Sequence, residues 1–193
     1  MSYFAAAFSR SSESDWQGFD VDLDEVESLD ELADIVHEAV EEADAEDETV
    51  VLLLEQLDEW FAVVRLDADE EPRVFVSDAQ AALRHALGEV LLPDLLPPID
   101  EDLDALAGSG PDDELADTSE GASGLAEGAA TNGLLTRQSA PAGPSGDPEL
   151  LQDLGMDARE LDTLTHPGEV KPGEALTVIA EHLGFVDALE AVR

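Results

Sequence analysis

Cysteine is missing from all 193 residues. Its absence excludes disulfides, thiolate metal sites and cysteine nucleophiles together, and is compatible with a reducing compartment. Positive charge is nearly as scarce. Eight Lys and Arg face 48 Asp and Glu, a formal net charge of -40, and Lys171 is the sole lysine. Nucleic acids and anionic lipids are bound by cations that displace counterions, so no direct nucleic-acid or membrane binding is expected. Aromatic residues make up only 5% of the chain. No apolar run approaches the roughly 18 residues of a membrane span. The apolar start, MSYFAAAF, has no Lys or Arg before it and reads as a strand in place of a signal peptide. These features point to a soluble, cytoplasmic protein.

Catalytic signatures are lacking too. The serines fall in polar or low-complexity strings such as SRSSES and SAPAGPSG, with no Gly-x-Ser-x-Gly elbow, and there is no phosphate-binding glycine loop. His37, His85, His166 and His182 have no second ligand at a site-defining spacing. His37 and Glu41 are four apart, but one His and one Glu do not define a metal site. No cofactor, no metal and no enzymatic activity are expected.

What is present is patterned. Residues 3–9 (YFAAAFS) read as a strand, and 16–23 (WQGFDVDL) as a second whose Asp20 and Asp22 face water opposite Phe19, Val21 and Leu23. The period then changes. Leu29, Leu32, Val36, Ala39, Val40 and Ala43 follow helical spacing over 28–44, with Ser28 and Glu31 as a capping box. Runs 49–57, 60–66 and 73–77 make a meander of three strands. Trp60 and Phe61 are adjacent, so alternation sends one ring to each sheet face. A helix starting at Ser77, with Ser77 and Gln80 as its capping box, ends before Pro93.

The order β-β-α-β-β-β-α predicts an α+β domain over 1–92, a mostly antiparallel five-stranded sheet with helices on one face. Residues 93–146 are rich in Pro, Gly, Ser, Ala and acids, with Arg137 their one base, and read as an acidic disordered linker. Residues 147–193 read as a small helical domain. Asp147 caps its first helix with Pro148 behind it, Asp157 starts the second, and the third runs from about Ala175 to a stop at Gly184. About 45 residues is near the lower limit for independent folding.

The stretch FDVDLDEVESLDE (19–31) puts Asp20, Asp22, Asp24 and Glu31 at positions 1, 3, 5 and 12 of a calcium loop. Position 6 holds Glu25 where such loops need glycine, so the stretch reads as a solvated strand-to-helix corner. Acidic docking is the stronger theme. Asp30, Glu31, Asp34, Glu38, Glu41 and Glu42 form a negative helix face suited to a basic partner. The alternatives are a nucleic-acid-mimicking inhibitor of a basic protein, or a metal-dependent enzyme built on clustered carboxylates.

Several strings carry a resemblance. MSYFAAAF, VDLDEVESLDELAD, VLLLEQLDEWFAVVRLD and EPRVFVSDAQAA, with LLQDLGM and ALTVIAEHLGFVDALEAVR near the C-terminus, resemble the actinobacterial tRNA adenosine deaminase-associated proteins. That resemblance implies association with the enzyme converting adenosine to inosine in tRNA. The chain is not itself such a deaminase, because those enzymes carry zinc on a His-x-Glu and Pro-Cys-x-x-Cys signature that a cysteine-free chain cannot supply. It implies a non-catalytic accessory protein that binds a protein partner.

Overall fold

The structure, a computed structural model, describes residues 3–10, 16–42, 49–56, 58–67, 71–93, 142–166, 168 and 170–193. Strand β1 (Tyr3–Arg10) pairs with β2 (Gln17–Asp20) on one side and β3 (Thr49–Gln56) on the other, both antiparallel. Strands β2 and β3 therefore run the same way, and helix α1 (Leu29–Glu42) carries the chain across β1 between them. Strands β4 (Trp60–Asp67) and β5 (Arg73–Val76) continue the meander, whose β3–β4 turn holds Asp58 at φ 57 and closes with Glu59 N–H donating to Gln56 O at 2.8 Å.

The sheet is antiparallel as expected but has six strands, ordered β2-β1-β3-β4-β5-β6. The sixth, β6 (Ser145–Gly146), adds itself to β5 with Ser145 opposite Val76. Gly146 is required there: its φ is 99, and a Cβ would sit 2.1 Å from Val74 O. The remainder of the expected linker, residues 94–141, lies outside the described residues.

Side-chain alternation divides the sheet into two buried faces. The cross-strand row Ala7, Leu52, Val64, Val74 belongs to one core, and the neighbouring row Ala6, Leu53, Val63, Phe75 to the other. Trp60 joins the first core and Phe61 the second, as their adjacency requires.

The first face is covered by α1, α2 (Ala79–Ala82) and α3 (Ala86–Leu91). The single helix expected over 77–92 is thus two. Arg84 N–H donates to Ala81 O and His85 N–H to Ala82 O, a tight turn that leaves His85 extended at the start of α3. Gly88 lets the halves meet, since a Cβ there would lie 2.0 Å from Ala82 O. The cap is also one residue later than expected. Asp78 accepts from Ala81 N–H, while Ser77 follows the end of β5 and stays tied to β4, its N–H donating to Phe61 O and its hydroxyl accepting from Phe61 N–H, both at 2.9 Å.

The second face is covered by the C-terminal segment: a 3-10 turn (Gln152–Leu154), α4 (Ala158–Thr163), α5 (Pro172–Leu183) and α6 (Val186–Val192). Asp157 and Glu160 form a reciprocal capping box on α4. Gly155 at φ 109 and Gly184 at φ 83 end their elements in the left-handed region. Asp147 caps a turn, not an α-helix, accepting from Glu149 N–H while its other oxygen holds Arg73 at 2.8 Å. The C-terminal segment and the sheet share one core. Phe185 stacks on Phe8 at 4.4 Å between centroids, and Trp16 Nε1–H donates to Leu183 O at 3.0 Å.

Three of the eight Lys and Arg serve this junction. Arg65 pairs with Asp153, Arg73 with Asp147, and Arg193 with Glu55 at 3.3 Å while lying over the Phe4 ring. Each joins a residue of the first 92 to one of the last 52.

Candidate partner-binding surface

The spacing of α1 decides which of its residues face outward. Leu32, Val36 and Val40, four residues apart, are fully buried, with Leu29, Ala33 and Ile35 partly buried beside them. The same geometry puts Asp30, Glu31, Asp34, Glu38 and Glu41 on an arc of about 100° on the other side, where all five are exposed. The structure therefore brings these sequence-selected acids onto one solvent-facing stripe. Glu42, the sixth, is the last residue of α1.

The start of that stripe is fixed by its cap. Ser28 Oγ accepts from Glu31 N–H at 3.2 Å, as the capping box predicts, but the Glu31 carboxylate reaches one residue further back, accepting from Glu27 N–H at 2.9 Å. Glu31 is thus both a surface charge and a helix cap. Acids Asp30 and Glu31 in the first turn suit the helix dipole, whereas Glu41 near the other end opposes it.

The stripe opens at its N-terminal end onto a groove of about 480 Å³ between α1 and α3. Val26, Leu29, Ala86, Val90 and Pro93 supply apolar lining, and Glu27, Asp30 and Glu89 supply carboxylates. Sequence reading missed this groove because its residues come from three separate stretches. The one available clue was Asp30, which belongs to both groove and stripe.

The corner before α1 is organised by Tyr3. Its hydroxyl accepts from Leu23 N–H at 2.7 Å and donates to Asp22 Oδ1 at 3.1 Å, and the same Asp22 oxygen accepts from Asp24 N–H at 3.0 Å. Burial, reinforced by the Asp22 carboxylate, pushes the Tyr3 phenol up to about 12 despite the opposing Leu23 amide. Asp22 and Glu31, two of the four residues at calcium-loop positions, are committed to Tyr3 and the α1 cap. Among the described residues no group of three or more His, Asp or Glu could hold a metal.

A second cavity, of about 280 Å³, lies between the β3–β4 turn and residues 164–166, 168 and 170–172. Ser77 and His166 both line it, but Ser77 Oγ serves Phe61 N–H and His166 Nδ1 contacts Thr163 O at 3.1 Å. They do not form a nucleophile–base pair with each other.

Comparison with protein families finds a match over nearly the whole chain. The model of the Rv3753c-like tRNA adenosine deaminase-associated protein family covers residues 3–186. The chain belongs to this family. The match spans the sheet and the helices α4 and α5 on its second face, and ends at the first residue of α6. Comparisons with curated proteins and with solved structures found no match. The family's description is of a protein associated with a deaminase. Among the described residues no helix is long and apolar enough to cross a membrane.

Proposed function

We propose that this protein is a non-catalytic accessory factor that binds a tRNA adenosine deaminase in the cytoplasm through the acidic stripe of α1, without contacting nucleic acid itself. The observation that carries the reading is the exposed run Asp30, Asp34, Glu38 and Glu41 in a member of a deaminase-associated family. An enzyme that handles tRNA presents cations to phosphate, and a carboxylate stripe is complementary to such a surface. Five of the protein's own cations are occupied elsewhere: Arg10 over Trp16, Arg84 near Glu59, and Arg65, Arg73 and Arg193 at the junction with the C-terminal segment.

Pull-down of the tagged protein from its native cytosol, read by mass spectrometry at low and moderate salt, tests this. The deaminase should be recovered at low salt and diminish as salt screens the contact. The double variant D34K/E38K should lose it while keeping a wild-type circular dichroism spectrum. Recovery of no tRNA-modifying enzyme at either salt removes the deaminase from the reading.

A further inference from the structure

We infer that the groove between α1 and α3 is the specificity pocket of the acidic surface, and that it takes one large apolar side chain from a Lys/Arg-rich segment of the partner. This rests on the reading of α1 as a docking face and adds the chemistry of what docks.

Composition and position carry the inference. The groove's apolar members are Val26, Leu29, Ala86, Val90 and Pro93, of which Ala86 and Pro93 are exposed and Leu29 is half-buried. Its charged members are Glu27, Asp30 and Glu89, all of one sign, and no described cation lines it. A small metabolite would need several convergent donors and acceptors, and this lining offers three carboxylates and the Ser28 hydroxyl, whose oxygen already caps α1. A side chain such as Leu or Met, flanked by cations, satisfies both the floor and the rim.

Continuity supplies the rest. Asp30 belongs to the groove and begins the stripe, which continues through Asp34, Glu38 and Glu41. Asp30 to Glu41 is about 16 Å along the helix axis at 1.5 Å per residue. A basic segment of about three helical turns could lie along α1 with its apolar anchor in the groove. The stripe then supplies attraction and on-rate, while the groove fixes register, as buried anchors do inside charged rims.

The test uses the full chain and two synthetic twelve-residue peptides of equal positive charge, one with a central Leu and one with Ser at that position. Calorimetry should show the Leu peptide binding at least tenfold more tightly. Ala86→Arg, at an exposed position, should abolish that preference while retaining salt-dependent binding of both peptides. Thermal melts of the variant confirm its fold, and Ala86→Ser should retain the preference.

Equal affinity of the two peptides for the wild type overturns the groove as an anchor site, and does so whether or not the deaminase is the natural partner. Leu95 and Leu96 closely follow Pro93 in the sequence, and peptide binding that emerges only in L95S/L96S assigns the groove to this chain's own residues and also overturns the inference. So does a dimer in sedimentation that Ala86→Arg dissociates, because the occupant is then a second copy.

Discussion

Arg65, at the middle of the sheet, holds Asp153 of the C-terminal segment through both of its terminal nitrogens, Nη2 to Oδ2 at 2.8 Å, although 88 residues separate them. The Arg65 side chain is 8% exposed and Asp153 is 60% exposed, so the pair sits at the boundary of the core. Arg65 Nη1 also donates to Leu150 O at 2.8 Å, and Nε lies 2.7 Å from Asp67 Oδ2 in an ion pair.

Asp153→Ala should therefore destabilise by only about 1–2 kcal/mol at pH 7, less than a fully buried pair, because Asp67 remains and solvent screens the exposed partner. The hydrogen bond to Arg65 holds the Asp153 carboxyl below its ordinary range, outweighing the burial that raises it. A lowered folded value gives stability that is complete above about pH 4, where an unfolded aspartate is ionised, and that drains as pH falls through the folded value. Urea unfolding of wild type and variant should show the gap narrowing below pH 4. A gap constant from pH 7 to 3 would show that the pair contributes no linkage.

Tyr3 is the chain's one tyrosine, so phenolate absorbance near 295 nm reports on it alone. Titration of the folded protein should give a midpoint near 12, against about 10 for the unfolded chain in urea. The sign follows from the raised value: stability from the phenol is complete below about pH 10 and is lost as pH rises through the folded midpoint. Tyr3→Phe should cost about 1 kcal/mol by stripping Leu23 N–H of its acceptor. A native midpoint at the unfolded value would remove Tyr3 from its place in the corner.

Much of this architecture is legible in the chain, and the misses have physical causes. Helix α1 shows because its apolar positions repeat every three or four residues and Ser28 caps it. The sixth strand does not, because Ser145–Gly146 is two residues inside a Ser/Gly-rich stretch and derives its conformation from β5. The split after Ala82 leaves no trace either, since Leu83, Arg84 and His85 are ordinary helix formers. The second helical layer did have a signal: FAAAF, VVLLL and FAVV are continuously apolar, with none of the polar alternation that a one-sided sheet shows. For the surface, sequence found the acids of α1 through periodicity. It could not find the groove or the Arg65–Asp153 pair, which depend on residues brought together only by the tertiary fold.

Gly88 is the test of the α2–α3 packing. In an exposed helix, Gly→Ala stabilises by about 1 kcal/mol through propensity. Here the added Cβ would meet Ala82 backbone at 2.0 to 2.8 Å, and backbone cannot rotate away as a side chain can. The steric term should win. Gly88→Ala is expected to lower stability by about 2–3 kcal/mol, with α2 and α3 forced apart. Thermal melting checks the sign, and an increase in Tm would mean that α3 stands free of α2.

The last expectation concerns the stretch between the two covering layers. Pro93 and Ser145–Gly146 line the same cavity, so the described chain leaves and returns at neighbouring points. Gly143 O accepts from Ala79 N–H at 2.8 Å, which fixes the return against α2. Replacing residues 96–140 with an eight-residue Gly/Ser linker should then preserve both cores. Shortening a closed loop by a factor of about five lowers the entropic cost of closure by about 1.5 kcal/mol. The variant should melt at or slightly above the wild-type temperature, with the tryptophan emission of Trp16 and Trp60 unchanged. Loss of cooperative melting would mean that residues 96–140 contribute contacts on which the sandwich depends. Retained folding with lost deaminase capture would instead assign those residues to the partner interface.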